Sequence, residues 1–157
     1  MSEVHLEPLD ASNLDAVLRI EQRVYPHPWT HGNFLDALRS GYHMRVLLGG
    51  DAGGEKNNET LLGYYVAMQG VDEAHLLNIT VAPEHQGQGF ARLMLDALDL
   101  WARGIPAQQL WLEVRAGNVR AIRLYETHGY QRQGLRKGYY PDGHGRREDA
   151  VVMRLKL

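Results

Sequence analysis

The sequence predicts an α/β fold with a mixed sheet, in which a strand-helix-strand segment forms a parallel crossover. Three observations support this prediction. The chain has 157 residues, it is 44% hydrophobic and 23% charged, and its patterns follow the order β-α-α-β-β-β-α-β-α-β-β. A chain of this length buries roughly 70% of the surface that its unfolded form exposes, which is enough for one sizeable core. We therefore expect residues 1–157 to form a single domain.

The first predicted elements are a strand and two helices. The strand lies around Val4 and Leu6. Ser12, a typical N-cap, precedes an amphipathic helical pattern of Leu14, Val17, Leu18 and Glu21, which Pro26 and Pro28 end. Thr30 caps the second helix and Gly41 closes it, with an apolar side formed by Phe34, Leu35 and Leu38.

A glycine-rich stretch separates the next two predicted strands. These strands are Met44 to Leu48 and Leu61 to Met68, and the polar residues from Gly49 to Thr60 show no periodicity. Phosphate-binding loops lead directly into a helix, whereas this stretch leads into a strand. We therefore interpret it as a mobile hairpin loop.

The second half of the chain alternates strands with helices and ends in a hairpin. Strands are predicted at His75 to Val81 and at Gln109 to Val114, separated by a helix whose apolar side is Phe90, Leu93, Met94, Ala97, Leu98 and Trp101. A further helix, Asn118 to His128, ends at Gly129 in the left-handed position. The runs Tyr130 to Tyr140 and Glu148 to Leu157 flank a Pro-Asp-Gly turn and predict an antiparallel pair.

The composition excludes several classes of protein. The absence of cysteine removes disulfides, thiolate metal sites, thiol redox catalysis and any covalent thioester intermediate on the protein. With a formal net charge of −2, the chain lacks the excess of basic residues with which nucleic-acid-binding proteins neutralise phosphates. No direct nucleic-acid contact is therefore expected. No run approaches the about 18 apolar residues of a membrane helix, and the N-terminus shows no signal peptide. We therefore expect a cytoplasmic protein with no membrane partner.

The eight histidines do not predict a metal site. They are scattered, and the one pair at i and i+4 spacing, His27 and His31, is interrupted by Pro28 and adjoins Pro26. Because proline disrupts the regular helix that would present both imidazoles together, we predict no metal cofactor.

The sharpest local feature is a glycine pair at a predicted helix start. Gly87 and Gly89 follow the strand LLNITV and precede the helical pattern FARLML. Tightly turned glycines leave amides uncovered beside the positive end of a helix dipole, which favours a phosphate or pyrophosphate. The spacing matches neither a Walker loop nor the dinucleotide GxGxxG. An ordinary glycine-rich helix start is an equally good interpretation of the hexapeptide alone.

Two motifs carry a resemblance to a known family. The hexapeptide QGQGFA, from Gln86 to Ala91, fits Q/R-x-x-G-x-G/A with alanine in the last position, and the segment from Asn118 to Tyr130 fits N-x-x-A-x-x-L-Y-x-x-x-G-F/Y. On these motifs the sequence resembles the GNAT superfamily, the GCN5-related N-acetyltransferases, from end to end. With IEQRVYPHPWT, LLNITVAPEHQGQG, WLEVRAGN and GYYPDGHGRREDAVVM, it is similar to the RimI-type ribosomal-protein-alanine N-acetyltransferases of that superfamily.

The resemblance implies the GNAT fold, a mixed and mostly antiparallel sheet with a central parallel crossover flanked by helices. It also implies acetyl-CoA as co-substrate, bound by the end of a strand, the glycine loop, the helix start and the second motif: Ile79, Thr80, Val81, Gly87, Gln88, Gly89, Phe90, Ala91, Arg92 and Asn118. Asn118 is at the same time a candidate N-cap of its helix, and the two roles can coexist.

Glu113 is the candidate general base. In the strand LWLEVR it shares one face with Trp111 and Arg115, because side chains alternate along a strand. Burial beside Trp111 would raise the pKa of its carboxyl and suit it to accept a proton from an ammonium group. The alternative from the strand alone is a salt bridge to Arg115 or another arginine. The resemblance implies the base, since RimI-type enzymes place it at this glutamate.

Tyr125 is the candidate general acid. It lies one turn before Gly129. The ordinary pKa of a phenol, about 10, is above the pKa of a thiol, about 8.5, so the phenol stays protonated at neutral pH and can donate its proton. A core aromatic at helical spacing is the alternative. The family position of this tyrosine implies the acid role, which is to protonate the departing thiolate of coenzyme A.

The acceptor implied by the resemblance is the N-terminal peptide of a small-subunit ribosomal protein. Trp29, Tyr139 and Tyr140 are candidate peptide-reading residues, with hairpin packing of the tyrosines as the alternative. We interpret RRED at positions 146–149 as solvated charge. Rival functions are acetylation of other protein N-termini, of lysine or of a small-molecule amine, and a non-catalytic acyl-CoA-sensing module.

Overall fold

The computed structural model describes residues 2–51 and 59–157. In this part of the chain there are seven strands, four α-helices and a short 3₁₀ helix at Pro83–His85. The strands and α-helices are β1 Ser2–Pro8, α1 Leu14–Val24, α2 His31–Arg39, β2 His43–Asp51, β3 Thr60–Gln69, β4 Glu73–Val81, α3 Phe90–Gly104, β5 Gln109–Arg115, α4 Val119–His128, β6 Gln131–Pro141 and β7 Arg147–Lys156. None of these described helices is long and apolar enough to cross a membrane.

The strands form a mixed sheet in the order β1-β2-β3-β4-β5-β7-β6. The pairs β1-β2, β2-β3, β5-β7 and β6-β7 are antiparallel. β4 and β5 are parallel, with Glu73, Ala74 and His75 opposite Gln109, Leu110 and Trp111, and α3 is the crossover between them. The predicted fold class is confirmed, and so is the C-terminal hairpin. Within the predicted loop between β2 and β3, residues 52–58 lie outside the described residues.

The chain divides into two compact units. The first comprises Met1–Ala67 and Asn78–Met94, and its fully buried side chains include Val17, Phe34, Val46, Leu47, Tyr64 and Met94. The second comprises Met68–Leu77 and Leu95–Leu157, where Leu98, Leu110, Ala150 and Met153 are fully buried. That residues 1–157 act as a single domain stays a prediction.

Local sequence signals place most of the helix ends correctly. The Thr30 side chain accepts a hydrogen bond from the Asn33 backbone N–H, and the Asn33 side chain accepts one from the Thr30 N–H, so a capping box begins α2. Gly41 and Gly129 follow α2 and α4 at φ +73° and +122°, which glycine adopts without the clash that a Cβ causes.

The prediction for Ser12 is wrong. Helix α1 begins at Leu14 with Asn13 in the N-cap position. The Ser12 side chain instead donates to Asp10 Oδ1 at 2.5 Å, and its backbone N–H donates to the same oxygen at 2.9 Å. These two hydrogen bonds hold Ser12 in the turn before the helix, turned toward Asp10, and α1 begins beyond it, after Asn13.

Gly63 on β3 allows β4 to approach closely. A Cβ at this position would lie 2.5 Å from the Thr80 carbonyl oxygen and 3.3 Å from Val81 Cα. Both neighbours are backbone atoms, which cannot rotate away as a side chain can. The glycine is therefore required by the spacing between these two strands and not by its own dihedral angles.

We expect Gly63→Ala to lower the free energy of unfolding by about 1 to 3 kcal/mol, because the methyl group must displace backbone in a packed interior. The matched control is Gly104→Ala at the end of α3, where a Cβ meets nothing within 4 Å. We expect that control to stay within about 0.5 kcal/mol of the parent. Urea unfolding measures both, and equal stabilities for the two variants would contradict this account of Gly63.

Candidate active site

The glycine loop follows the 3₁₀ helix and leads into α3, as the sequence predicts. Gly87 and Gly89 have φ values of +78° and +83°, and a Cβ at either position would point into open space. These dihedral angles are left-handed, so side-chain residues would be strained there although there is room for them. The loop therefore depends on glycine for its backbone path.

Six successive backbone N–H groups are available at this loop. Within the described part of the chain, the hydrogen bonds of the helix start with the Leu93 N–H donating to the Gly89 carbonyl. No hydrogen bond to a described residue is donated by the amides of Gly87, Gln88, Gly89, Phe90, Ala91 and Arg92. The first turn of α3 also carries the exposed side chain of Arg92. Uncovered amides at the positive end of a helix form a site for a phosphate or pyrophosphate.

The end of β4 presents backbone groups on the edge away from β3. The Ala82 N–H donates to Leu62 on β3. Since N–H and C=O groups alternate sides along a strand, the backbone groups of Ile79 and Val81 point to the opposite edge and those of Thr80 point to β3. Ile79 and Val81 are thus placed to pair with an extended ligand.

Two side chains hold the carbonyls at this edge of β4. The Tyr25 hydroxyl donates to the Ile79 carbonyl at 3.1 Å, and the Gln86 amide donates to the Val81 carbonyl at 3.2 Å. Tyr25 OH also lies 2.8 Å from Thr80 Oγ1. Burial raises the pKa of Tyr25 to about 12, so its hydroxyl keeps its proton at neutral pH.

A buried carboxylate, that of Glu21 on α1, holds three segments together. Glu21 is 1% exposed. Its Oε1 accepts from the Tyr64 hydroxyl at 2.8 Å and from Asn78 Nδ2 at 3.0 Å, and its Oε2 accepts from the Trp29 backbone N–H at 3.0 Å. The Trp29 ring also packs against Phe34, with centroids 5.1 Å apart. The backbone of the candidate peptide-reading residue Trp29 is therefore anchored from the interior.

Glu21 was not among the predicted site residues, although a signal was present. It stands at an apolar position of the α1 pattern, where a charged residue needs hydrogen-bond donors if it is to be buried. The sequence could not show which donors those are, because Trp29, Tyr64 and Asn78 come from three separate segments.

Glu113 lies on β5 with its side chain 10% exposed. Its Oε2 is 2.5 Å from His75 Nε2 and its Oε1 is 3.5 Å from Arg136 Nη2. The expectation of a raised pKa is wrong: the hydrogen bond from His75, more than its charge or that of Arg136, lowers the pKa of Glu113 despite the opposing effect of burial. Of the arginines considered, Arg136 contacts Glu113, whereas Arg115 pairs with Glu148 at 3.1 Å.

The predicted peptide-reading tyrosines lie on β6 and pack on arginines. Their rings are 4.9 Å apart and nearly perpendicular. The Arg115 guanidinium lies 4.5 Å from the Tyr140 ring centroid, and that of Arg136 lies 5.4 Å from the Tyr139 ring centroid. Tyr139 is 43% exposed, which leaves it available to a ligand.

The RRED segment is not simply solvated charge. Arg147 donates to the carbonyls of Gly138 and Tyr139, and Asp149 accepts from the Gly138 N–H at 2.9 Å. Glu148 accepts from Arg115 and from the Gly117 N–H. The β6-β7 register is irregular between Arg136 and Tyr140, which leaves backbone groups there without a partner on the other strand. The charged side chains of Arg147 and Asp149 supply the missing hydrogen bonds and so fix the path of the hairpin.

Asn118 and Tyr125 lie at the two ends of α4. Asn118 Oδ1 accepts from the Ala121 N–H at 3.2 Å, so the predicted N-cap is confirmed. Tyr125 is 8% exposed and makes an edge-on contact with Tyr130, with ring centroids 5.8 Å apart. The core packing considered for Tyr125 is thus present, and the acid role stays a prediction.

Two groups of described residues have a composition and spacing suited to metal ligands: His5, Glu7 and Glu59, and Asp96, Asp99 and His128. In the second group, His128 Nε2 lies 2.6 Å from Asp99 Oδ2 and its Nδ1 lies 3.8 Å from Asp96 Oδ1. The shorter of these two contacts is a hydrogen bond between His128 and Asp99, and the longer one is not. The expectation of no metal cofactor stays a prediction.

The acetyltransferase (GNAT) family model matches residues 14–130, and the chain belongs to this family.

Several relatives with a named activity are similar to the chain over nearly its whole length. The chain is 36% identical over 154 residues, 97% of both chains, to the [ribosomal protein bS18]-alanine N-acetyltransferase of Escherichia coli strain K12. It is 34% identical to the protein of the same name from Haemophilus influenzae, covering 94% of this chain and 95% of that one. The crystal structure of the Escherichia coli ribosomal-protein-S18-alanine N-acetyltransferase matches with a TM-score of 0.84 and 32% identity, over 99% of this chain and 94% of that chain.

We expect Glu21→Gln to destabilise the protein by about 1 to 3 kcal/mol, because each of the three partners of Glu21 is a donor and the amide would turn a further donor toward one of them. The matched control is Glu126→Gln, whose side chain is 45% exposed and lies 3.5 Å from Arg132. An exposed pair of this kind contributes little, so we expect a change within about 0.5 kcal/mol. Urea unfolding compares the two, and a Glu21→Gln variant as stable as the control would refute the anchoring role.

Proposed function

We propose that this chain is an acetyl-CoA-dependent N-α-acetyltransferase that acetylates the N-terminal alanine of a small-subunit ribosomal protein of the bS18 type. The observation that carries the proposal is 36% identity over 97% of both chains to an Escherichia coli protein named for this reaction. This assignment places the enzyme in the cytoplasm, with residues 1–157 acting as one acetyltransferase domain and no nucleic acid or membrane as partner.

The residues of the first unit fit acetyl-CoA. The uncovered amides from Gly87 to Arg92 suit the pyrophosphate, and the outward backbone groups of Ile79 and Val81 suit the amides of pantetheine. The bound thioester supplies the activated acetyl group. Thr80 supports this edge indirectly, since its side chain bonds Tyr25 and Asn78. We assign Asn118 a contact to the coenzyme in addition to its cap.

We propose direct transfer in a ternary complex, with Glu113 as base and Tyr125 as acid. The chain has no cysteine on which an acetyl group could rest. An α-amine has a pKa of about 7.8 and the lysine side chain one of about 10.4, so the α-amine loses its proton more easily. The difference between these pKa values corresponds to a free energy of about 3.5 kcal/mol. A carboxylate with a lowered pKa is a weak base, so an α-amine is the acceptor that suits Glu113 best.

In this proposal, aromatic residues bind the N-terminal peptide of the acceptor protein. Trp29 has its backbone anchored by Glu21, and Tyr139 and Tyr140 are held by cation-π contacts with arginines. Rigid aromatic side chains offer contact area at a low entropy cost.

The acceptor is tested with a synthetic peptide that carries the N-terminal sequence of the small-subunit protein. We expect mass spectrometry to show acetylation of its alanine at least about tenfold faster than of an internal lysine, because less free energy is needed to deprotonate the α-amine. The control is the same peptide with a blocked N-terminus. Preferential acetylation of the blocked peptide, or of spermidine, would contradict the proposal that the acceptor is an N-terminal alanine.

The base is tested with Glu113→Gln, which we expect to reduce kcat by about 10² to 10⁴ while acetyl-CoA binding is retained. Glu7→Gln on β1 is the matched control, since Glu7 is an exposed partner of a histidine and we expect unchanged turnover. Calorimetry measures binding and a thiol-release assay measures turnover. Binding without any turnover by the parent protein would instead support an acyl-CoA-sensing module.

A further inference from the structure

His75 is brought to Glu113 by the register of the parallel strands. His75 on β4 is opposite Trp111 on β5. Side chains of paired residues project from the same face of a sheet, and Glu113 shares that face with Trp111 two residues further along β5. His75 and Glu113 are therefore diagonal neighbours, and their side chains meet at 2.5 Å between Nε2 and Oε2.

Both oxygens of the Glu113 carboxylate are engaged, and each partner comes from a different strand. His75 of β4 binds Oε2, and Arg136 of β6 lies 3.5 Å from Oε1. Tyr140 of β6 also interacts electrostatically with Glu113. Of these two contacts, the one made by His75 is the shorter, and 27% of the His75 side chain is exposed compared with 55% of that of Arg136.

We propose that His75 is a positioning residue for the reaction: it holds the Glu113 carboxylate in one orientation through Nε2 and shares the proton that Glu113 takes from the acceptor amine. This inference rests on the proposed function, in which Glu113 is the base. A carboxylate that is hydrogen-bonded to an imidazole is oriented more strictly than one in water, and the second ring nitrogen of the imidazole offers another place for a proton.

The reaction removes two protons from the acceptor ammonium. The acceptor ammonium gives one proton to the His75-Glu113 pair, and the amine nitrogen then bonds to the acetyl carbon. The C–S bond breaks with its electron pair on sulfur, and the thiolate takes the proton of the Tyr125 hydroxyl. The second proton that the nitrogen loses restores that hydroxyl. The pair returns its proton to solvent, for which the partly exposed imidazole of His75 offers a route. No oxidant, reductant or metal enters this balance.

Two substitutions separate orientation from proton sharing. His75→Leu removes both, whereas His75→Gln retains a nitrogen donor near the position of Nε2 but cannot take a proton. The matched controls are His5→Leu and His5→Gln, because His5 on β1 also contacts carboxylates, those of Glu7 and Glu59, at 3.3 and 3.2 Å. We expect the controls to retain parental turnover.

The readouts are kcat and KM on the alanine peptide, together with the titration of the Glu113 carboxyl carbon followed by NMR. For His75→Leu we expect kcat to fall about tenfold or more, KM for acetyl-CoA to stay within about twofold, and the carboxyl pKa to rise. For His75→Gln we expect a smaller loss of kcat. In the parent, the His75 ring and the Glu113 carboxyl should each report both titration steps of a coupled pair.

The outcomes distinguish this inference from the proposed function. Parental kcat and an unmoved carboxyl titration in both His75 variants would overturn the role of His75 while leaving the acetyltransferase assignment intact. A parent protein that does not acetylate the peptide would overturn the assigned acceptor. If His75→Leu does not fold, His75→Gln and the coupled titration of the parent decide the question, and independent single-step titrations would refute proton sharing.

Discussion

The buried carboxylate of Glu21 is the interaction on which the first compact unit depends most. It draws donors from β3, from β4 and from the segment between α1 and α2 onto two oxygens. A carboxylate removed from water must be hydrogen-bonded by the protein, so these segments cannot move independently without leaving a charge unsatisfied. The position of the Trp29 backbone and the edge of β4 that faces the proposed coenzyme follow from this one requirement.

The second compact unit uses a carboxylate differently. Glu21 is surrounded by neutral donors, two of them side-chain groups and one a backbone amide, whereas Glu113 is contacted by an imidazole and a guanidinium. The three hydrogen bonds from neutral groups make Glu21 a fixed structural element. The hydrogen bond from His75, together with the charges of His75 and Arg136, lowers the pKa of Glu113. Two glutamates of the same chain thereby acquire a structural and a proposed chemical role from their neighbours alone.

Much of the fold was predictable because its signals are local. The capping box at Thr30, the positive φ of Gly41 and Gly129 and the left-handed glycines of the loop depend on residues within one turn of the chain. The prediction for Ser12 failed because its backbone N–H and hydroxyl both bond to Asp10, which keeps Ser12 in the turn before the helix. The prediction for the RRED segment failed because two of its partners, Arg115 and Gly117, come before the hairpin in the chain. They meet this segment only in the folded structure.

By itself, the sequence determined the order of the elements, the parallel crossover, the glycine loop with its uncovered amides and the family to which the chain belongs. Periodicity, caps and contiguous motifs encode these features over short stretches. Only the tertiary structure decided how each carboxylate is used, because the pKa of Glu113 depends on His75, 38 residues away in the chain. Its burial on an apolar strand suggested a raised pKa, and one hydrogen bond across the β4-β5 pairing reversed the sign.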